Sequence, residues 1–157
     1  MEWFGANWQY IAFVVTAGIS VATYATRRDD ELRWKRTEFI FAQAQWLDSD
    51  QDLRRVLALL EKRTGTVTLE HAINGGQGLS VAEHEAWLTA LDKFLNLFDR
   101  LYFAVNDAKT LQLEELRIFG WYLTLVLASP PLVKYCGDNG FKDVLKLARQ
   151  IPADTAP

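Results

Sequence analysis

Residues 8–26 read WQYIAFVVTAGISVATYAT, 19 positions without a charge, and the polar and charged positions that dominate the following stretch begin abruptly at Arg27-Arg28. As an α-helix this segment rises roughly 28 Å at about 1.5 Å per residue, close to a bilayer core of about 30 Å. Trp3, Phe4 and Trp8 at one end and Tyr24 near the other stand where amphipathic rings favour the headgroup region. The pattern predicts a retained transmembrane anchor over residues 1–28. A cleaved signal would carry its positive charge before the apolar stretch, where this chain has Glu2. A buried or interfacial helix is the competing reading, because Thr16, Gly18, Ser20 and Thr23 temper the hydrophobicity. Arg27, Arg28, Arg33, Lys35 and Arg36 follow the segment and no Lys or Arg precedes it. The positive-inside rule then gives a single-pass protein of the inner membrane, N-terminus outside and the rest of the chain in the cytoplasm.

Within the segment Gln9, Thr16, Ser20, Thr23 and then Arg27 recur along one helical stripe, interrupted only by Phe13. Small residues recur four apart at Gly18 and Ala22, a spacing that lets two helix backbones approach closely. A single span has no second helix of its own, so the neighbour would be another copy or another protein. The alternative is that the hydroxyls bond back to their own helix carbonyls and the small residues are incidental.

Residues 29–150 predict an all-α helical bundle. No Gly or Pro interrupts the chain between Arg27 and Thr64, so the first helix is expected to run on into an amphipathic stretch with Leu32, Phe39, Ile40, Gln43 and Leu47 on one side. Ser49 with Asp52 reads as the next helix start, and Leu53, Val56, Leu57 and Leu60 as its apolar stripe. Residues 64–78 carry Gly75, Gly76 and Gly78 and read as a loop with at most a helical turn near 69–73. Ser80 with Glu83 is a capping box opening the central helix to about Asn106, with Trp87, Leu88, Leu91, Leu95, Phe98, Leu101, Tyr102 and Val105 facing the core. A helix over about 111–127, a short one near 132–135 and a last one over 141–150 complete the bundle, with 151–157 a disordered tail.

Composition keeps the chain in the globular class: 50% hydrophobic, 13% aromatic and 24% charged. A net charge of -3 gives no bulk attraction to nucleic acid, which is therefore not an expected partner. The lone Cys136 excludes an internal disulfide, and nothing around it argues for a reactive thiolate. His71 and His84 stand beside Glu70, Glu83 and Glu85 without a third ligand at recognisable spacing, so no metal is expected. Adjacent Glu114 and Glu115 point in diverging directions in a first helical turn, where carboxylates complement the helix dipole. The GGQG run lacks the Lys-Ser or Lys-Thr pair of a phosphate loop. No catalytic residue, cofactor or small-molecule substrate is evident. The expected partners are membrane lipid and either further copies of the chain or a membrane protein complex.

An N-terminal span with a basic exit, a charged helix leading into the domain, and the segment LNLFDRLYFAVNDAKTLQLEELRIFGWYLTLV together resemble the bacterial family of domain of unknown function 4760, in whose core hairpin Asn96 and Asp99 would fall at a frequent polar pair. More distantly the chain resembles single-span membrane accessory proteins of bacterial antiviral systems, whose helical domains are related to HEPN ribonucleases and which assemble as rings. The HEPN hallmark is an Arg followed a few residues later by His. Here seven residues including Gly65 separate Arg63 from His71, and His84 has no suitable upstream Arg. Resemblance and stripe imply a membrane-anchored module acting by self-association or partner binding, as a scaffold or a pore-like effector in antiviral defence. An accessory subunit of a larger membrane complex is the alternative, and a divergent HEPN-like nuclease the third reading.

Overall fold

The computed structural model describes residues 3–63, 67–76 and 78–151, and every regular element among them is helical. The first helix, α1, is Trp3–Ser49. It is followed by α2 (Gln51–Leu60), α3 (Leu69–Asn74) and α4 (Val81–Asn106). A 3₁₀ helix (Leu113–Phe119) then leads into α5 (Gly120–Leu127), α6 (Pro130–Asp138) and α7 (Lys142–Gln150). The all-α class expected from the sequence is what forms.

The chain divides into two units, residues 1–38 and 39–157. In the first, the described side chains from Phe13 to Thr26 and the basic residues Arg27 and Arg28 are exposed. Among the described residues no single helix is long and apolar enough to cross a membrane. The expected span falls on residues 8–26, many of whose side chains, including those of Gln9 and Ala22, lie outside the described set.

The second unit is a bundle around α4, which packs against α2, α3 and α7. Because neighbours lie on more than one side, its buried set extends beyond a single stripe: Ala90, Phe94 and Leu97 join Trp87, Leu91, Leu95, Phe98 and Leu101. Phe94, Phe98 and Phe119 stack edge to face, with centroids 5.0 and 6.1 Å apart, in the geometry that suits the aromatic quadrupole. From α1 the core takes Ile40 and Leu47, whereas Leu32 and Phe39, placed on the same stripe by periodicity, are exposed. A smaller cluster of Leu59, Ala72 and Trp87, flanked by Val67, Leu69 and Leu79, holds α3 against α2 and α4. Ile151, expected in the disordered tail, is buried in the main core. The rest of that tail, 152–157, lies outside the described residues.

Three helix starts differ in detail from the sequence reading. The cap of α2 is Asp50 rather than Ser49: its Oδ1 accepts from the backbone N–H of Asp52 (3.0 Å) and Leu53 (3.2 Å), while Ser49 remains in α1. The helix expected over 111–127 winds as 3₁₀ up to Phe119 and as α only from Gly120. The short helix expected near 132–135 starts earlier, with Pro130 and Pro131 in the first turn of α6, where missing N–H groups cost nothing. The central capping box forms as read, with Glu83 Oε2 accepting from Ser80 N (2.8 Å) and Ser80 Oγ accepting from Glu83 N (3.3 Å).

Segments Leu113–Leu127 and Pro130–Asp138 are together apolar enough for a broken span, bent by 96°. Their Leu116, Phe119, Leu123, Val126, Leu132 and Cys136 are fully buried inside the bundle, so that apolarity serves its core.

Candidate functional site

In the first unit the chemistry resides in hydroxyls and small residues on one exposed helix. Ser20 Oγ donates to Thr16 O and Thr23 Oγ1 to Ile19 O, each at 2.8 Å, so both hydroxyl hydrogens are spent on the helix's own carbonyls. Such back-bonding leaves only acceptor lone pairs facing outward and lowers the cost of placing the stripe against hydrocarbon. A side chain added at Gly18 would meet no atom within 4 Å. Phe13, Ile19 and Tyr24 are 73%, 62% and 67% exposed. The segment thus presents large apolar side chains, satisfied hydroxyls and an open glycine, with Arg27 and Arg28 exposed at its end.

The candidate catalytic residues of the bundle resolve into structural roles. His84 is half-buried, and its Nε2 stands 3.1 Å from Ile73 O; a carbonyl only accepts, so that nitrogen carries the hydrogen. His71 is exposed, with its ring against Gly76, where an added Cβ would fall 2.5 Å from the imidazole. At Gly75 φ is +71°, a left-handed conformation that suits glycine, and an added Cβ there would meet the His84 ring at 3.5 Å. Both imidazoles therefore pack on the glycine turn between α3 and α4. Arg63 Nε is engaged by Glu61 at 3.0 Å.

Cys136 is buried, and desolvation pushes its thiol up to about 12, far from a thiolate at neutral pH. Glu115 Oε2 accepts from Gln112 N (2.8 Å) at the start of the 3₁₀ helix, which explains the carboxylate there as a cap; Glu114 shares that first turn. Asn96 is exposed, whereas Asp99 is half-buried, and burial followed by the nearby Asp143 raises its carboxyl above the usual range. Among the described residues no group of three or more His, Cys, Asp or Glu could hold a metal ion.

Several tertiary contacts had no local signal. Lys93 Nζ bridges Asp50 Oδ2 (2.6 Å) and Asp52 Oδ2 (3.1 Å), fastening the start of α2 to α4. That bond to Lys93 is the chief cause of a lowered Asp50 carboxyl. Arg55 lies over the Trp87 ring at 4.3 Å. Clefts open on the bundle. One, of about 580 Å³, is lined by Phe41, Ala44, Gln45, Asp48, Ser49, Ile118 and Tyr122, with the Tyr122 hydroxyl 3.4 Å from Asp48 Oδ1. Another, of about 470 Å³, lies between the end of α2, the start of α3 and the corner joining α5 to α6.

Among the described residues the protein is all-helical, with Phe13, Ile19 and Tyr24 among its exposed large apolar side chains. No family model matches the chain, and neither a curated protein nor a solved structure does.

Proposed function

We propose that the protein is a membrane-anchored helical module: residues 8–26 cross the inner membrane once, the bundle faces the cytoplasm, and the activity is self-association or the binding of a membrane protein partner. The observation that carries this reading is the exposure of Phe13, Ile19 and Tyr24 in an uncharged helical stretch, beside an open Gly18. Burying a large apolar side chain is worth about 1.5–3 kcal/mol, so such a surface is costly in water and favourable against lipid or a second helix. The self-bonded hydroxyls of Ser20 and Thr23 support a lipid- or helix-facing stripe more than a water-filled centre. Histidines packed on a glycine turn and a buried thiol support a non-enzymatic module more than a nuclease.

Two measurements on the full chain test the proposal. Alkaline carbonate extraction of cells should leave the chain in the membrane pellet; recovery in the supernatant overturns the anchor. The mass of the detergent-solubilised particle should exceed that of one chain, either as a homo-oligomer or with a copurifying partner. A strictly monomeric particle, with single-cysteine variants along residues 9–27 that crosslink on no face, overturns association.

A further inference from the structure

The 470 Å³ cleft is distinct from the anchor and has the make-up of a small-molecule site. Its volume falls within the roughly 300–1,000 Å³ of ligand pockets. Its walls are apolar, from Leu59 and Leu60 of α2, Val67 and Leu69 at the start of α3, and Pro130 and Pro131 of α6. The charged lining side chains are Lys62 and Glu70, both exposed, and no ion pair joins either to another described residue.

The backbone at Lys62 closes α2. Arg63 N donates to Ala58 O (2.8 Å) and Lys62 N to Leu59 O (3.1 Å), the paired bonds of a Schellman ending, which places Lys62 at the left-handed position with φ +57°. Glycine is the unstrained residue at that position; Lys62 adopts it, as Lys109 does at φ +52° after α4. Its side chain lines the cleft.

We infer that this cleft binds a small zwitterion with an apolar body, of the size of an apolar dipeptide, its carboxylate seated at Lys62 Nζ and its ammonium at Glu70. An anion alone would meet Glu70 and a cation alone Lys62; a molecule carrying both charges satisfies both walls. The apolar side chains of the ligand would cover Leu60, Leu69 and Pro131. Lys62 supplies a charge-assisted hydrogen bond to a carboxylate, the stronger kind of polar contact.

The test uses the full chain, methyl-labelled at Leu and Val, in detergent-free lipid nanodiscs, titrated with leucyl-leucine, its N-acetyl derivative and its C-terminal amide. Saturable shifts confined to the Leu59, Leu60, Val67 and Leu69 methyls are expected for the dipeptide, with each capped derivative about two- to fivefold weaker because it loses one ion pair at an exposed side chain. Lys62→Met should abolish the penalty for amidation, and Glu70→Gln the penalty for acetylation, while the Val144 and Leu147 methyls report an unchanged fold. Absence of saturable shifts at millimolar dipeptide, equal affinity for all three compounds, or penalties that persist in both variants would overturn the assignment. Monomeric behaviour of the chain has no bearing on these readouts, so failure of the proposed association and failure of the cleft are separate results.

Discussion

The Tyr135 hydroxyl donates a 2.7 Å hydrogen bond to Asp92 Oδ1, joining α6 to the middle of α4 across 43 residues of sequence. Burial of the ring, followed by the bond to Asp92, pushes the Tyr135 hydroxyl well above its ordinary range, so it is a neutral donor at neutral pH. Tyr135→Phe removes the donor and leaves Asp92 half-exposed and able to recruit water. A loss of about 1–2 kcal/mol is expected, the range for a hydrogen bond to a charged group that is partly replaced by solvent. Urea unfolding with an unchanged slope checks it; a variant as stable as the parent would mean that the bond contributes nothing net.

Asp99 behaves in the opposite sense. Its folded-state carboxyl is raised, first by desolvation and then by Asp143, so the folded state favours the protonated form more than the unfolded chain does. The associated stability is fully present below the unfolded pKa and is lost as pH rises through the folded one. At neutral pH the ionised Asp99 is therefore a net cost, and Asp99→Asn should stabilise by up to about 1 kcal/mol, discounted for partial solvation. Below about pH 4 the advantage should disappear, because the carboxyl is then neutral in both states. A variant gain that is constant from pH 4 to 8 would show that charge is not its cause.

The first buried side chain among the described residues is Ile40, and every core residue lies from there to Ile151. A chain starting at residue 29 should therefore keep the bundle intact. The reporter is Cys136, buried and with its thiol pushed up to about 12: in the folded truncated chain it should resist Ellman's reagent and react only on unfolding. Immediate full reactivity under native conditions would show that residues 1–28 are needed for folding. For crosslinking along α1 the thiol is better removed as Cys136→Ala than as Cys136→Ser, since burying a hydroxyl costs desolvation even when it bonds back to its own helix.

How much of this was legible depended on whether the signal was local. The Ser80–Glu83 box lies within four residues, and both its start and the following long helix were read correctly. At α2 two cap residues stand side by side, and spacing alone does not say that Asp50, with φ -75° and ψ 130°, leaves the helix while Ser49 stays in it. Periodicity over the seven residues Leu113–Phe119 barely separates three from 3.6 residues per turn, so the 3₁₀ winding was missed. The single-face reading of α4 missed Phe94 and Leu97, because burial on more than one side is a property of the packing. Of the N-terminal segment, the stripe was visible, but spacing alone does not decide whether Ser20 and Thr23 bond back to their own helix, as they do. The dipeptide-sized cleft was invisible, since its walls come from residues 59–70 and 128–131 and its lysine occupies a backbone position that sequence assigns to glycine.

That lysine yields the last prediction. A non-glycine residue at left-handed φ costs roughly 1–2 kcal/mol, and glycine returns about 0.4–1 kcal/mol of this through the larger entropy of its unfolded chain. Lys62→Gly should therefore stabilise the protein by about 0.5–1 kcal/mol, raising the midpoint of thermal unfolding by a few degrees at about 2–4 °C per kcal/mol for a chain of this size. Lys62→Ala separates backbone from charge: it removes the ammonium but keeps a Cβ at the same φ of +57°, so no comparable gain is expected. Lys109, at φ +52° after α4, does not line the dipeptide-sized cleft, and Lys109→Gly should gain stability without affecting dipeptide binding. A gain from Lys62→Ala as large as that from Lys62→Gly would show that relief of charge, not of backbone strain, is what the substitution supplies.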